Sequence, residues 1–425
     1  NLYTIAKKYY EALLADPGNA QFHLTDPRGA SDKSGRTFNN PYQYFFEQMH
    51  MDDAIYADES IYEYPMQQGG GNDGRPYSFG RPSSGGSKAA YPCKSYGQGR
   101  INPAYFYGIF DPNDMRRDVS ITMTGSNGKG VEKLIPFVPN SKAEGGGLTL
   151  NKWDENRQAN PWVAAQRKSG INGPYMRMSE VYLGYAEVCA ALGDVVTGKQ
   201  YLKTVRERSF PQGLADTDGF IASFGNDLVR AIIEERGFEY AGEGDRRWTL
   251  IRSGYLPEDI KRIKDMTKAM MDGLATKGYY EFENGNIISA YIWTKLVDAK
   301  TIYGHRLTAQ CPMDKVNDPV LYPGWRGQKD NWEEMGLNYG NSAPATNLAI
   351  KGLFEIVSEE EAASLESQGY AKVNWGIDLV DYRDEYDKYL FWDYDYVSAP
   401  IYLWPFTPNV MAAGGFTNGY GFKQE

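Results

Sequence analysis

The sequence predicts a mainly α fold in which a tetratricopeptide-like helical hairpin supports a large irregular, loop-rich subdomain containing short strands. Three observations predict it. Apolar residues recur at helical spacing between 174 and 254, whereas residues 40 to 172 are crowded with Gly, Ser, Asn, Pro and Tyr and show little periodicity. The chain is also 14% aromatic, with 33 Tyr and 9 Trp among its 425 residues, more than its helical stripes use.

Residues 1 to about 24 read as a helix and its exit. Leu2, Ile5, Ala6, Tyr9, Tyr10 and Leu13 share one helical face, and Asp16-Pro17-Gly18-Asn19 makes the turn. A helix that begins uncapped normally has more protein before it, so the chain reads as the later part of a longer one. In the irregular region Gly69 to Gly71, Asn72-Asp73-Gly74 and Gly145 to Gly147 mark tight turns, and Val119 to Met123 alternates as a short strand. Pro174, at a first helical position, opens a helix whose stripe is Met178, Val181, Tyr182, Tyr185, Cys189 and Leu192, ending at Gly193-Asp194. Thr197 begins a second helix with Tyr201, Leu202 and Val205 inward, and Gly184, Ala186 and Ala190 let the two approach closely, as in a repeat of about 34 residues.

Leu228, Ala231, Ile232 and Phe238 form the stripe of the next helix, which Gly242 and Gly244 stop before Asp245-Arg246-Arg247-Trp248. Glu234, Glu235, Arg236 and Glu239 with Arg246 and Arg247 suit a partly buried ion-pair network, and such a network needs every member paired. A structural clamp explains them better than catalysis. Further on, Ile287 to Trp293 suggests a strand, and Ser358 with Glu361 forms a capping box opening a helix that Gly369 terminates.

The bulk numbers exclude several functions. A net charge of −10 disfavours nucleic acid and anionic lipid, which require basic patches. No run approaches the roughly eighteen apolar residues of a membrane-spanning helix. Cys93, Cys189 and Cys311 are too few and scattered for a zinc site or a disulfide framework; Cys189 fits a helix core, while a bridge between Cys93 and Cys311 stays open. His23, His50 and His305 are isolated. GSNGKG at 125–130 lacks P-loop spacing, and Asp393-Tyr394-Asp395 has Ser398 where a calcium loop needs Gly. No metal or cofactor is expected, and no catalytic residue is assigned, although 55 acidic residues make a glycosidase carboxylate pair impossible to read from sequence.

Aromatic residues in irregular segments are the better site candidates. They are Tyr77, Phe79, Tyr91, Tyr96, Trp153 and Trp162 in the first region, with Arg81 as a planar polar partner, and Trp325 and Trp332 further on. Flat amphipathic rings beside Asn72, Arg75, Arg157 and Gln158 suit a glycan, whose ring faces stack while its hydroxyls take hydrogen bonds.

The run from Ile232 to Gly254, IIEERGFEYAGEGDRRWTLIRSG, resembles the C-terminal signature of the SusD/RagB family of surface nutrient-binding lipoproteins of Bacteroidetes. Tyr175 to Glu187 looks like that family's "R.aEvyL.yAEa" helix and Val205-Arg206-Glu207-Arg208 like the element that follows it. DPNDMRRD at 111–118 is similar to its "DpR.d" element, and Tyr402 to Phe406 with Asn418-Gly419-Tyr420 to its terminal motif. The resemblance implies a single domain over 1–425 lacking its N-terminal part, with the hairpin as one unit of a repeat scaffold over 173–254. Residues 40–172 would then carry the ligand face, 255–400 would be an atypical insertion, and 401–425 the closing motif. It implies an oligosaccharide-binding, non-enzymatic protein of the outer-membrane surface, anchored by a lipid on a Cys outside this chain and serving a SusC-like TonB-dependent transporter. A peptide-binding member or an extracellular glycoside hydrolase are the alternatives.

Overall fold

A computed structural model describes residues 2–17, 24, 30–31, 37–38, 40–48, 59–69, 78–82, 95–126, 132–139, 145–153, 169–298, 346–390 and 407–415. The first helix, α1 (Leu2–Ala15), has no buried residue, and Leu2, Ile5 and Tyr9 of its expected apolar face are exposed. It packs instead through Tyr10, whose ring lies 6.4 Å from that of Tyr185, and Lys7, which pairs with Asp194 at 3.0 Å. A second helix, α2 (Pro41–Gln48), buries Tyr42, Phe45 and Phe46.

The irregular region is built from fragments, as its composition requires. After a short ladder β1 (Ala30–Ser31) and β2 (Thr37–Phe38) comes β3 (Ser60–Tyr64), then a single π-turn over Tyr105–Ile109. The segment expected as a strand from Val119 starts as helix α3 (Arg116–Ser120) and extends only as β4 (Ile121–Thr122). Arg116, Arg117 and Asp118 are all buried there, so side-chain pairing and not strand alternation sets the backbone. β5 (Thr124–Ser126) pairs with β6 (Glu132–Leu134), and β4 with β7 (Thr149–Leu150).

The helix expected to open at Pro174 begins later. Residues Gly173–Arg177 are strand β8, antiparallel to β3, and α4 follows over Met178–Ala191. Proline is tolerated in a two-stranded ribbon because every strand there is an edge. The hairpin partner α5 (Val195–Arg208) starts two residues ahead of Thr197, capped by Asp194, which accepts from the Thr197 amide. Gly193, at φ 86°, makes the turn. Close approach falls at Gly198, where a Cβ would stand 2.9 Å from the Ala186 carbonyl oxygen; Gly184 faces Tyr10 of α1 instead. After α6 (Thr217–Ala222), α7 (Leu228–Glu239) adds Leu228, Ala231 and Ile232 to the core of Leu183, Ala186, Leu202 and Val205. It ends before Gly242 and Gly244, both left-handed, and α8 (Arg246–Ser253) follows.

Beyond the scaffold, α9 (Leu256–Lys277) is the longest helix described; Pro257 in its first turn, Glu258 and Asp259 beside it, and left-handed Gly278 after it mark both ends. The strand expected over 287–293 is two, β10 (Ile287–Ser289) and β11 (Tyr291–Asp298), parted at Ala290, whose amide bonds to the Gly278 carbonyl. β10 pairs with β9 (Tyr279–Glu281). β11 lies between β12 (Thr346–Lys351) and β13 (Ala371–Asn374), antiparallel to both. The capping box forms as expected, opening α10 (Glu359–Ser367) before Gly369 at φ 86°. Helices α11 (Gly376–Asp381), α12 (Arg383–Leu390) and α13 (Pro408–Gly414) close the described chain. One large core joins the irregular region to this later part, uniting Phe106, Tyr107, Phe137, Met270, Ile292 and Trp375. Trp375 donates its indole N–H to the Tyr107 hydroxyl at 2.8 Å inside it.

Candidate functional site

The ribbon β3–β8 has an inverted side-chain order. Glu63 is buried, while Tyr62, Tyr64 and Tyr175 are 58%, 54% and 71% exposed. Two register shifts, between Ser60 and Tyr62 and between Tyr62 and Glu63, set Tyr62 opposite Met176 and Tyr64 opposite Gly173. The shift brings the Tyr62 and Tyr175 rings edge to face, 5.7 Å apart at 87°. Polar side chains beneath hold the ribbon flush. The Asn172 carbonyl oxygen accepts from the Met66 amide at 2.8 Å, and its amino group donates to Glu63 at 2.9 Å. Burial raises the Glu63 carboxyl, and the Asn172 bond opposes that rise.

The base of the ribbon is fixed far more strongly. Arg177 at the end of β8 donates to Glu59 at 2.9 Å, to Glu239 at 2.5 Å, to Ser179 at 2.6 Å and to both oxygens of Glu243. Arg208 reaches Glu59 and Glu239, Arg116 reaches Asp114, Glu235 and Glu239, Arg206 reaches Glu235, and Lys152 reaches Glu243. Among the described residues, five cations thus face five carboxylates, so their charges balance. Burial alone would raise the Glu239 carboxyl, but the guanidiniums of Arg208, Arg177 and Arg116 outweigh it and hold it well below the usual range. Burial draws the Lys152 ammonium down to about 8, against the pull of Glu243. The clamp expected in the 232–254 run is therefore present, and it reaches further than that run.

The other expected site residues divide. Phe79 is half exposed with its ring edge towards Gly99, and Tyr96 is half-buried. Trp153 is wholly buried with Leu150 and Ile171, and Arg81 is buried, donating its amide to the Trp153 carbonyl and its Nη2 to the Thr124 hydroxyl. Trp153 thus has no free surface; it connects the Phe79 segment, through Ile171, to the ribbon. Tyr77, Tyr91, Trp162, Trp325 and Trp332 lie outside the described residues, as do Cys93 and Cys311. Cys189 is a buried free thiol, as expected.

Sequence reasoning missed Tyr62, Tyr64 and Tyr175. The available signal was the alternation in Ser60-Ile61-Tyr62-Glu63-Tyr64, which places both tyrosines on one face. Among the described residues no group of His, Cys, Asp and Glu could hold a metal, and no helix is long and apolar enough to cross a membrane.

A family model described as the SusD family matches residues 25–405. SusD-like protein P25 of Formosa agariphila is 28% identical over 160 residues, which cover 37% of this chain and 26% of that protein. A SusD homologue from Bacteroides thetaiotaomicron is 19% identical, with 62% of this chain and 51% of that chain covered at a TM-score of 0.42. Surface glycan-binding protein A from the same organism, in complex with laminarihexaose, is 18% identical, with 60% and 51% covered at a TM-score of 0.40. The chain spans about a quarter of the length of the curated relative and about half of these solved chains.

Proposed function

The chain belongs to the SusD family, and from that membership we propose that it is a surface glycan-binding protein that captures oligosaccharide and delivers it to a SusC-like TonB-dependent transporter. The observation that carries the ligand class is the exposed tyrosine face of Tyr62, Tyr64 and Tyr175 on a ribbon anchored by buried Arg177. Solvent-facing rings held still lose little entropy when a sugar stacks on them, and their hydroxyls supply hydrogen bonds. Phe79 and Tyr96, with Tyr77, Tyr91, Trp162, Trp325 and Trp332, are proposed to add to this surface. The complex of surface glycan-binding protein A with laminarihexaose is consistent with the ligand class. In this reading the protein works at the outer membrane, held there by a lipid anchor, and it binds without cutting.

Calorimetric titration with a panel of neutral oligosaccharides and of peptides tests the proposal. Oligosaccharide binding is expected, weakened about threefold to tenfold in Tyr175→Ala and further in Tyr62→Ala/Tyr175→Ala, with folding retained because both side chains are exposed. Binding of peptides alone would favour the peptide-carrying alternative. Release of reducing ends that one Asp or Glu substitution abolishes would replace the proposal with a hydrolase.

A further inference from the structure

The tyrosine ribbon carries one residue of a different chemistry. Its two register shifts leave Ile61 unmatched on β3 and Tyr175 unmatched on β8, so the residue directly opposite Tyr62 is Met176. Directly opposite residues of an antiparallel pair share a face, with Cβ atoms about 4.5–5.5 Å apart. Met176 and Tyr62 are both exposed, so the thioether and the ring stand together on the outer side. Tyr175 meets the same ring edge to face.

Exposure sets Met176 apart from the other methionines. It is 43% exposed, whereas every other methionine among the described residues is buried or partly buried. Met178, two positions on in the same segment, is 2% exposed, so the contrast follows the ribbon face. A strand alone would favour a β-branched or aromatic residue at such a position. Methionine adds a flexible, polarisable thioether that adapts to an irregular contact, and an accessible sulfur that a peroxide can oxidise. Cys189, the free thiol among the described residues, is buried and offers no competing target.

We propose that Met176 is an oxidation site through which hydrogen peroxide lowers ligand binding on the tyrosine face, an inference that rests on the ligand reading above. The sulfur lone pair attacks a peroxide oxygen and the O–O bond breaks. The thioether is oxidised by two electrons to the sulfoxide, and the peroxide is reduced to water. An apolar, flexible contact becomes a polar, chiral one. A sugar stacking beside Tyr62 and Tyr175 must then strip water from the sulfoxide oxygen where its C–H face needs apolar surface. Peroxide alone leaves the phenol rings intact, so the change is confined to the thioether.

The test treats the full chain with hydrogen peroxide in steps, maps the oxidised peptides by mass spectrometry, and titrates each sample with maltohexaose, laminarihexaose, cellohexaose and xylohexaose. Met176 is expected to gain its oxygen before the buried Met178. Affinity for the tightest-binding hexasaccharide should fall about threefold to tenfold, the scale of one lost apolar contact, at an unchanged melting temperature. Methionine sulfoxide reductase should restore it. Met176→Leu, whatever its own affinity, should show no further change on peroxide treatment. Oxidation of Met178 ahead of Met176, or an equal peroxide-induced loss in Met176→Leu, would overturn the proposal. A chain that binds a hexasaccharide with the same affinity before and after Met176 is oxidised sinks this inference alone. An untreated chain that binds none of the four sinks the ligand reading, and this inference with it.

Discussion

Glu239 shows what one carboxylate does in this protein. It is fully buried and accepts from Arg116, Arg177 and Arg208 at once. Glu239→Gln keeps the shape but leaves three guanidiniums around a neutral amide, so a loss of about 3–5 kcal/mol is expected, read as a lowered urea midpoint. Replacement of an exposed acid such as Glu360 should cost almost nothing. The sequence suggested a network inside 232–254 because acids and arginines crowd there at helical spacing. It gave no sign of the principal partners, since Arg116, Arg177 and Glu59 approach only through tertiary folding. Tyr62 and Tyr64 were obscured for a related reason: the residue between them, Glu63, is charged yet buried, the reverse of the usual expectation.

At the scale of elements, local chemistry was readable where a helix end depends on its own few residues. The Ser358–Glu361 capping box and left-handed Gly369 are such cases. Helix faces were less so, because sequence does not say which neighbour a small residue meets. Gly198 and not Gly184 permits the α4–α5 contact, and a methyl at 198 would press on backbone, which yields less readily than a side chain. Gly198→Ala is therefore expected to destabilise by about 1–3 kcal/mol despite the better helix propensity of alanine, measurable by thermal melting. Pro174 misled in the same way: its helical preference is real, but pairing with β3 decides the segment.

At the scale of the whole molecule, acid should undo the fold through its carboxylates. Burial by itself would raise the Glu234 carboxyl, but Arg246 and Arg262 outweigh it and hold it at about 2, and Glu239 and Glu243 are likewise depressed. Groups whose folded pKa lies below the unfolded value bind fewer protons when folded. Their stabilisation is complete above the ordinary carboxylate pKa of 4.5 and is lost as pH falls from there towards 2. Melting temperature is thus expected to hold steady from neutral pH to about 5 and to drop steeply below it; a flat profile down to pH 3 would contradict this. Composition did mark off the irregular region from the helices. It could not show that residues after 255 complete the same core, which is made by Trp375 and Ile292 meeting Phe137 and Tyr107.

The clamp beneath the ribbon also bears on the order of folding. Glu59 precedes Arg177 by 118 positions and Arg208 by 149, so on the ribosome its carboxylate emerges long before these two guanidiniums. Until α4, α5 and α7 have been made and docked, Glu59 is better left in water than buried, and the segment around it stays open. Such contacts close last and open first across the barrier. Glu59→Gln should accordingly accelerate unfolding while leaving the refolding rate nearly unchanged, which stopped-flow measurement of both limbs would show.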